Sequence, residues 1–178
     1  MSYFINFLTL SRIFLGAIIF ALLTRPEGYL LAFILFFVAG GTDYFDGYLA
    51  RKYNLTSQIG EILDPIADKI LIVFVLFGLS VNLTSYFIAF MASLIITREI
   101  WVGALRDFNA RQGCSDVTKV TFLAKIKTSV QLFTISIYLL GLTLNNMLLI
   151  LFGDMFLFLS LLITIYTGYI YSYNSFKN

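Results

Sequence analysis

From Thr42 to Lys69 the chain reads TDYFDGYLARKYNLTSQIGEILDPIADK, and this stretch decides the fold. Asp43 and Asp46 close one strongly apolar segment, and Asp64 and Asp68 open the next. An ionised carboxylate costs roughly 2.5–3.5 kcal/mol at mid-membrane and still something nearer its edge, so four of them require a counter-charge.

Working outward, the purely apolar part of the second segment, residues 70–81, is too short to cross a hydrocarbon core of about 30 Å at a rise of about 1.5 Å per residue. Its helix is therefore expected to begin near Ile59 and to carry Asp64 and Asp68 in its first turns. Pro65 then either kinks that helix or marks its first residue after an Asp64 cap. Upstream, a second span runs from about Tyr29, preceded by a tight turn at Arg25-Pro26-Glu27-Gly28 and a first span over residues 13–23. Before it, Ser2, Asn6, Thr9 and Arg12 recur every three or four residues, as in a short interfacial helix. Downstream, a fourth span is expected over residues 86–105, a polar loop over 106–121, and a fifth span over 122–144. The sixth is placed at 155–173 rather than 147–170, which leaves Asp154 in the preceding loop and out of lipid.

Composition agrees with an all-α integral membrane protein of six transmembrane helices with a short N-terminal interfacial helix. Of 178 residues, 60% are hydrophobic and 12% charged, with no break in composition, so residues 1–178 form one domain. The absence of histidine excludes histidine-based metal sites, acid/base pairs and triads, and a single cysteine, Cys114, excludes a disulfide framework. Met1 to Ser11 lacks a basic n-region, so no cleaved leader is expected. Six spans put both termini on one side together with Arg51, Lys52, Arg106, Arg111, Lys119, Lys125, Lys127 and Lys177, against Arg25 on the other. By the positive-inside rule that side, with the four aspartates, is cytoplasmic. No nucleic-acid partner is expected.

On a helix, Asp43, Asp46, Gly47 and Ala50 share a face, as do Gly60, Asp64 and Asp68. Oxygen-only donors at this density suit Mg²⁺ or Mn²⁺, and four carboxylates are about enough for two ions that clamp a phosphoryl transfer. A second, basic group comprises Arg98 on the fourth span, Arg106 at its end, and Lys125 and Lys127 at the head of the fifth, and suits an anionic co-substrate. Gln131 shares a face with Lys127, which favours Lys127 over Lys125. Trp101 and the tyrosines of residues 166–173 read as interfacial anchors without chemistry.

The pattern Asp43-x-x-Asp46-Gly47-x-x-Ala50-Arg51, eight residues, Gly60-x-x-x-Asp64-x-x-x-Asp68 resembles the signature of the CDP-alcohol phosphotransferases. Its eight fixed positions would coincide by chance with odds on the order of 10⁻⁸ at ordinary residue frequencies. Asn6-x-x-Thr9-x-x-Arg12, Leu63 to Lys69, Arg98-Glu99-Ile100 and Lys125-x-Lys127-Thr128-x-x-Gln131 look most like the branch that uses glycerol 3-phosphate. The chain departs from that branch at Ala124, where glycine is usual, and its last span resembles the family only in being apolar.

The resemblance implies a homodimer of six-helix subunits with a two-metal site open to the cytoplasm. Asp43, Asp46, Asp64 and Asp68 would bind metal, and Asp68 would also act as base. Gly47, Ala50, Arg51 and Gly60, with Asn6 and Thr9, would shape the nucleotide pocket, and Arg98, Arg106, Lys125 and Lys127 would hold the acceptor phosphate. The implied reaction moves the phosphatidyl group of CDP-diacylglycerol to glycerol 3-phosphate among membrane lipids. Alternatives are an inositol-phosphate or phosphatidylglycerol acceptor or, from another class, a cation transporter. Acids clustered at one membrane face, with no matching set on the other, argue against transport.

Overall fold

In a computed structural model the chain forms six α-helices: α1 Ser2–Leu23, α2 Tyr29–Tyr53, α3 Gln58–Asn82, α4 Tyr86–Arg111, α5 Phe122–Thr143 and α6 Met147–Lys177. The structure describes residues 2–53, 58–113 and 122–177, and side chains over 9–42, 63, 66–113 and 126–177. A short 3₁₀ turn, Pro26–Gly28, joins α1 to α2 where the sequence places its tight turn. The polar N-terminal segment and the first span are a single helix.

Each helix packs on its neighbours around a closed ring in the order α1, α3, α4, α6, α5, α2, and α3 meets α5 across the ring. Lipid offers apolar side chains no hydrophobic gain from association, so close fit has to hold such a ring together. The seam between α1 and α3 illustrates this: a Cβ at Gly78 would stand 2.9 Å from the Leu23 side chain, so any larger residue there would make Leu23 shift. Ile19, Leu23, Phe36, Val75, Leu79, Ile95 and Leu139 fill the interior. Phe14, Phe90, Leu148 and Met155 point outward, on the surface a bilayer covers. Among the described residues α4, Ile126–Thr143 of α5, and α6 are long and apolar enough to cross a membrane, and Thr9–Leu23 and Pro26–Thr42 are shorter apolar stretches.

Two boundaries refine the sequence reading. Helix α3 starts at Gln58, as the shortness of its apolar part requires, and Pro65 lies inside it rather than at its first position. Helix α4 continues to Arg111, so Arg106 lies on a helix and not in the expected loop. An i, i+4 ion pair between Asp107 and Arg111, 2.8 Å, supports the added turn.

The sixth helix corrects the expectation for Asp154. It begins at Met147 and carries Asp154 inside it, because the Tyr138 hydroxyl of α5 donates to Asp154 Oδ1 at 2.6 Å. Gly153 lets that ring in: a Cβ there would stand 2.7 Å from Tyr138. Tyr138→Phe, which leaves the carboxylate without this donor, is expected to lower stability by about 1–3 kcal/mol, measured as detergent-resistant unfolding.

The turns after α3 and α5 are built alike. Ser85 N–H donates to Ser80 O and Asn146 N–H to Gly141 O, each closing a helix end around a residue of positive φ, Thr84 at 48° and Asn145 at 49°. Ser85 then accepts from Ile88 N–H, and Asn146 from Leu148 N–H, to start the next helix. Asparagine tolerates the left-handed conformation; branched threonine does so at a cost. Thr84→Gly is therefore expected to raise stability by about 0.5–1 kcal/mol, read as a higher melting temperature.

Candidate active site

A cavity of about 360 Å³ opens between α3, α4 and α5, lined by Asp68 and Lys69, by Arg98, Glu99, Gly103 and Arg106, and by Lys127, Thr128 and Gln131, with apolar residues between. Helix periodicity accounts for the wall. Arg98, Val102 and Arg106 follow at four-residue intervals on α4, as Lys127 and Gln131 do on α5. Gly103 faces Lys69 across the cavity wall, with Lys69 Nζ 3.8 Å from where a Cβ would be.

From behind, α1 supplies Arg12, a fully buried arginine whose Nη1 donates to Asp68 Oδ1 at 2.5 Å. Its Nη2 reaches the hydroxyl of Thr9, also fully buried, at 3.5 Å. The guanidinium thus orients the Asp68 carboxylate and is its counter-charge, while 45% of the Asp68 side chain stays exposed at the cavity. Thr9 and Arg12 of the N-terminal polar stripe thus stand behind the cavity, in contact with one of its lining residues.

On the opposite side, Glu99 accepts from Arg98 Nη1 at 3.0 Å and from Lys127 Nζ through the same oxygen. Both cations are nearly buried, with 10% and 8% of their side chains exposed, and both are matched to that one carboxylate. Lys69 and Arg106 have no carboxylate partner among the described residues. Among the described residues four cations and two carboxylates face the cavity, so this part of its wall carries a net positive charge. Gln131, 5% exposed, adds an Nε2 donor with no acceptor among the described residues.

Of the residues singled out in the sequence, Asp68, Arg98, Arg106 and Lys127 meet at this cavity. Thr9 stands one step back, against Arg12. The side chains of Asn6, Asp43, Asp46, Gly47, Ala50, Arg51, Gly60, Asp64 and Lys125 lie outside the described residues, although their backbones are helical. Among the described residues no three metal-ligating side chains cluster. Periodicity missed Glu99 as the partner of Lys127, Arg12 as that of Asp68, and Tyr171, whose ring is 2% exposed and faces inward. Glu99 carried one signal, a lone acid beside an arginine deep in an apolar span; Tyr171 was hidden among anchoring tyrosines.

Fold and cavity together define a polytopic helical membrane protein with paired and unpaired charges held between its helices. The family model for CDP-alcohol phosphatidyltransferase matches residues 4–166, and the chain belongs to this family of membrane enzymes. It is similar to the CDP-diacylglycerol–glycerol-3-phosphate 3-phosphatidyltransferase of Rickettsia bellii, 41% identical over 93% of this chain and 91% of that one. Proteins of the same name from Blochmanniella floridana and Rickettsia typhi are 36% and 38% identical, over 95% and 93% of this chain and 90% and 93% of theirs.

Proposed function

We propose that this enzyme transfers the phosphatidyl group of CDP-diacylglycerol to glycerol 3-phosphate, giving phosphatidylglycerophosphate and CMP. One observation carries the acceptor assignment: Arg106 and Lys69 face the cavity with no carboxylate partner among the described residues, as a phosphate-bearing acceptor requires. The unpartnered Nε2 of Gln131 supports a hydroxylated acceptor, whose oxygen would satisfy it. The names of relatives at 36–41% identity over nearly the whole chain support the same choice.

In this reading the acceptor hydroxyl attacks the β-phosphorus of CDP-diacylglycerol. The new P–O bond forms as the anhydride P–O bond to CMP breaks, and CMP leaves with the electron pair. Asp68, oriented by Arg12, takes the hydroxyl proton. Arg98, Arg106 and Lys127, with Lys125, hold the acceptor phosphate, and Asn6, Thr9, Gly47, Ala50, Arg51 and Gly60 line the nucleotide pocket.

The donor set suits a hard cation: Asp68 offers a half-exposed carboxylate, Asp64 lies one turn before it on α3, and Asp43 and Asp46 lie one turn apart on α2. These four aspartates would hold two Mg²⁺ or Mn²⁺ ions, which when bound neutralise pyrophosphate charge. We further infer a homodimer, acyl chains lying between helices and lipid, and a cytoplasmic active site and termini.

The test is CMP release by purified protein with CDP-diacylglycerol and Mg²⁺, offered glycerol 3-phosphate, inositol phosphate or phosphatidylglycerol in turn. Release with glycerol 3-phosphate alone is the expected result. Release only with another acceptor overturns the acceptor assignment, and none with any acceptor, from folded protein, overturns the reaction.

A further inference from the structure

We propose that the last helix is a positioning element for the acceptor site, with Tyr171, Thr167 and Gly168 of α6 fixing the guanidinium groups of Arg98 and Arg106. This rests on the acceptor assignment above and adds residues that lie outside the cavity itself. Arg98 and Arg106 are two turns apart on α4, a rise of about 12 Å. Yet both guanidinium carbons lie over the single ring of Tyr171, at 5.9 Å and 5.4 Å from its centroid. A cation–π contact of this kind strengthens when water is excluded, and the ring is 2% exposed.

Arg98 is held at two further points. Its Nη2 donates to Thr167 Oγ1 at 2.6 Å, and the Thr167 hydroxyl in turn faces backbone carbonyls of its own helix, Ile163 O at 2.9 Å and Thr164 O at 3.1 Å. Its own proton thus goes to the backbone, leaving oxygen lone pairs for the guanidinium. Next to it, a Cβ at Gly168 would stand 3.0 Å from Arg98 Nε and 3.1 Å from Cγ, so the arginine lies in the space that glycine leaves.

Docking α6 on α4 does not by itself require these contacts. The Trp101 indole N–H donates to Ser172 Oγ and the Asn109 amide to Ser175 Oγ, each at 2.8 Å, and these tie the two helices together independently. The Tyr171 ring acts on the two arginines instead: it holds two like charges at fixed positions against one ring, which suits an anion with several oxygens.

Steady-state kinetics in nanodiscs, with both substrates varied, test this on Tyr171→Leu, Tyr171→Phe and Thr167→Val. Tyr171→Leu is expected to raise KM for glycerol 3-phosphate about tenfold while KM for CDP-diacylglycerol stays within about twofold. Tyr171→Phe, which keeps the ring, is expected to restore most of that loss. Equal rises in both KM values, no rise in either, or a phenylalanine variant no better than leucine would each overturn the proposal. Should Tyr171→Leu not fold, Thr167→Val gives the same readout, with an expected rise of about tenfold.

A wild type inactive with glycerol 3-phosphate refutes the acceptor assignment rather than the role of α6. That role is then read from protection by inorganic phosphate. A rise in melting temperature shared by wild type and Tyr171→Phe, and reduced in the leucine or Thr167→Val variant, supports it; an equal rise in all, or none in wild type, overturns it.

Discussion

Replacing Asp68 by asparagine is expected to lower turnover about 10²- to 10⁴-fold, the range associated with loss of a positioned general base. The substitution is nearly isosteric, and the amide oxygen of asparagine can still accept from Arg12 Nη1, so the local fold should survive. What disappears is the negative charge and the ability to accept the acceptor's proton. KM for CDP-diacylglycerol should change by less than about tenfold, because the other three aspartates assigned to metal and the nucleotide pocket assigned to α1, α2 and the start of α3 keep their side chains. A single-turnover measurement of CMP formation, with lipid binding followed separately, checks both halves. Turnover within a few-fold of wild type would remove Asp68 as the base. A comparable loss in lipid affinity would make its main role substrate binding rather than proton transfer.

Both the legible and the illegible parts of this protein have physical causes. Span length is a local property, so the shortness of residues 70–81 was enough to place the start of α3 among its aspartates, and the helix does begin at Gln58. The grouping of Asp68 with Arg98, Arg106 and Lys127 was also readable, because helices of matched length return polar ends to the same level. Pairing within that group was not. Lys127 meets Glu99 from 28 residues away and Arg12 meets Asp68 from 56, and periodicity assigns faces without saying which face a neighbour presents.

Asp154 was misplaced for a related reason. Without a visible partner the sequence favours moving an acid out of the span, and its partner, Tyr138, is a residue type normally counted as apolar filling. Tyr171 failed in the opposite sense. Aromatic residues near a span end usually meet lipid headgroups, and only the packing of α6 on α4 turns this one inward. Arg106 was placed in a loop because its surroundings are polar, whereas the added turn of α4 keeps it within reach of that same ring.

The second large effect is expected at Glu99. Its carboxylate, 19% exposed, is the one described counter-charge within ion-pair distance of both Arg98 and Lys127. Glu99→Ala leaves two nearly buried cations side by side, and removing one partner from such a pair typically costs about 3–5 kcal/mol. A large fall in melting temperature should accompany the loss of activity, so the single variant alone cannot separate folding from catalysis. The double variant Glu99→Gln, Lys127→Met can. It removes one charge of each sign and leaves Arg98 on Thr167 and the Tyr171 ring, so most of the stability should return. If Lys127 contacts the acceptor phosphate, KM for glycerol 3-phosphate in this double variant should remain raised by about tenfold or more despite the recovered fold. Recovery of both stability and KM would instead make Lys127 a purely structural cation. The anion would then be held by Arg98, Arg106 and Lys69. Unchanged melting of Glu99→Ala would show that water or lipid headgroups already neutralise the pair.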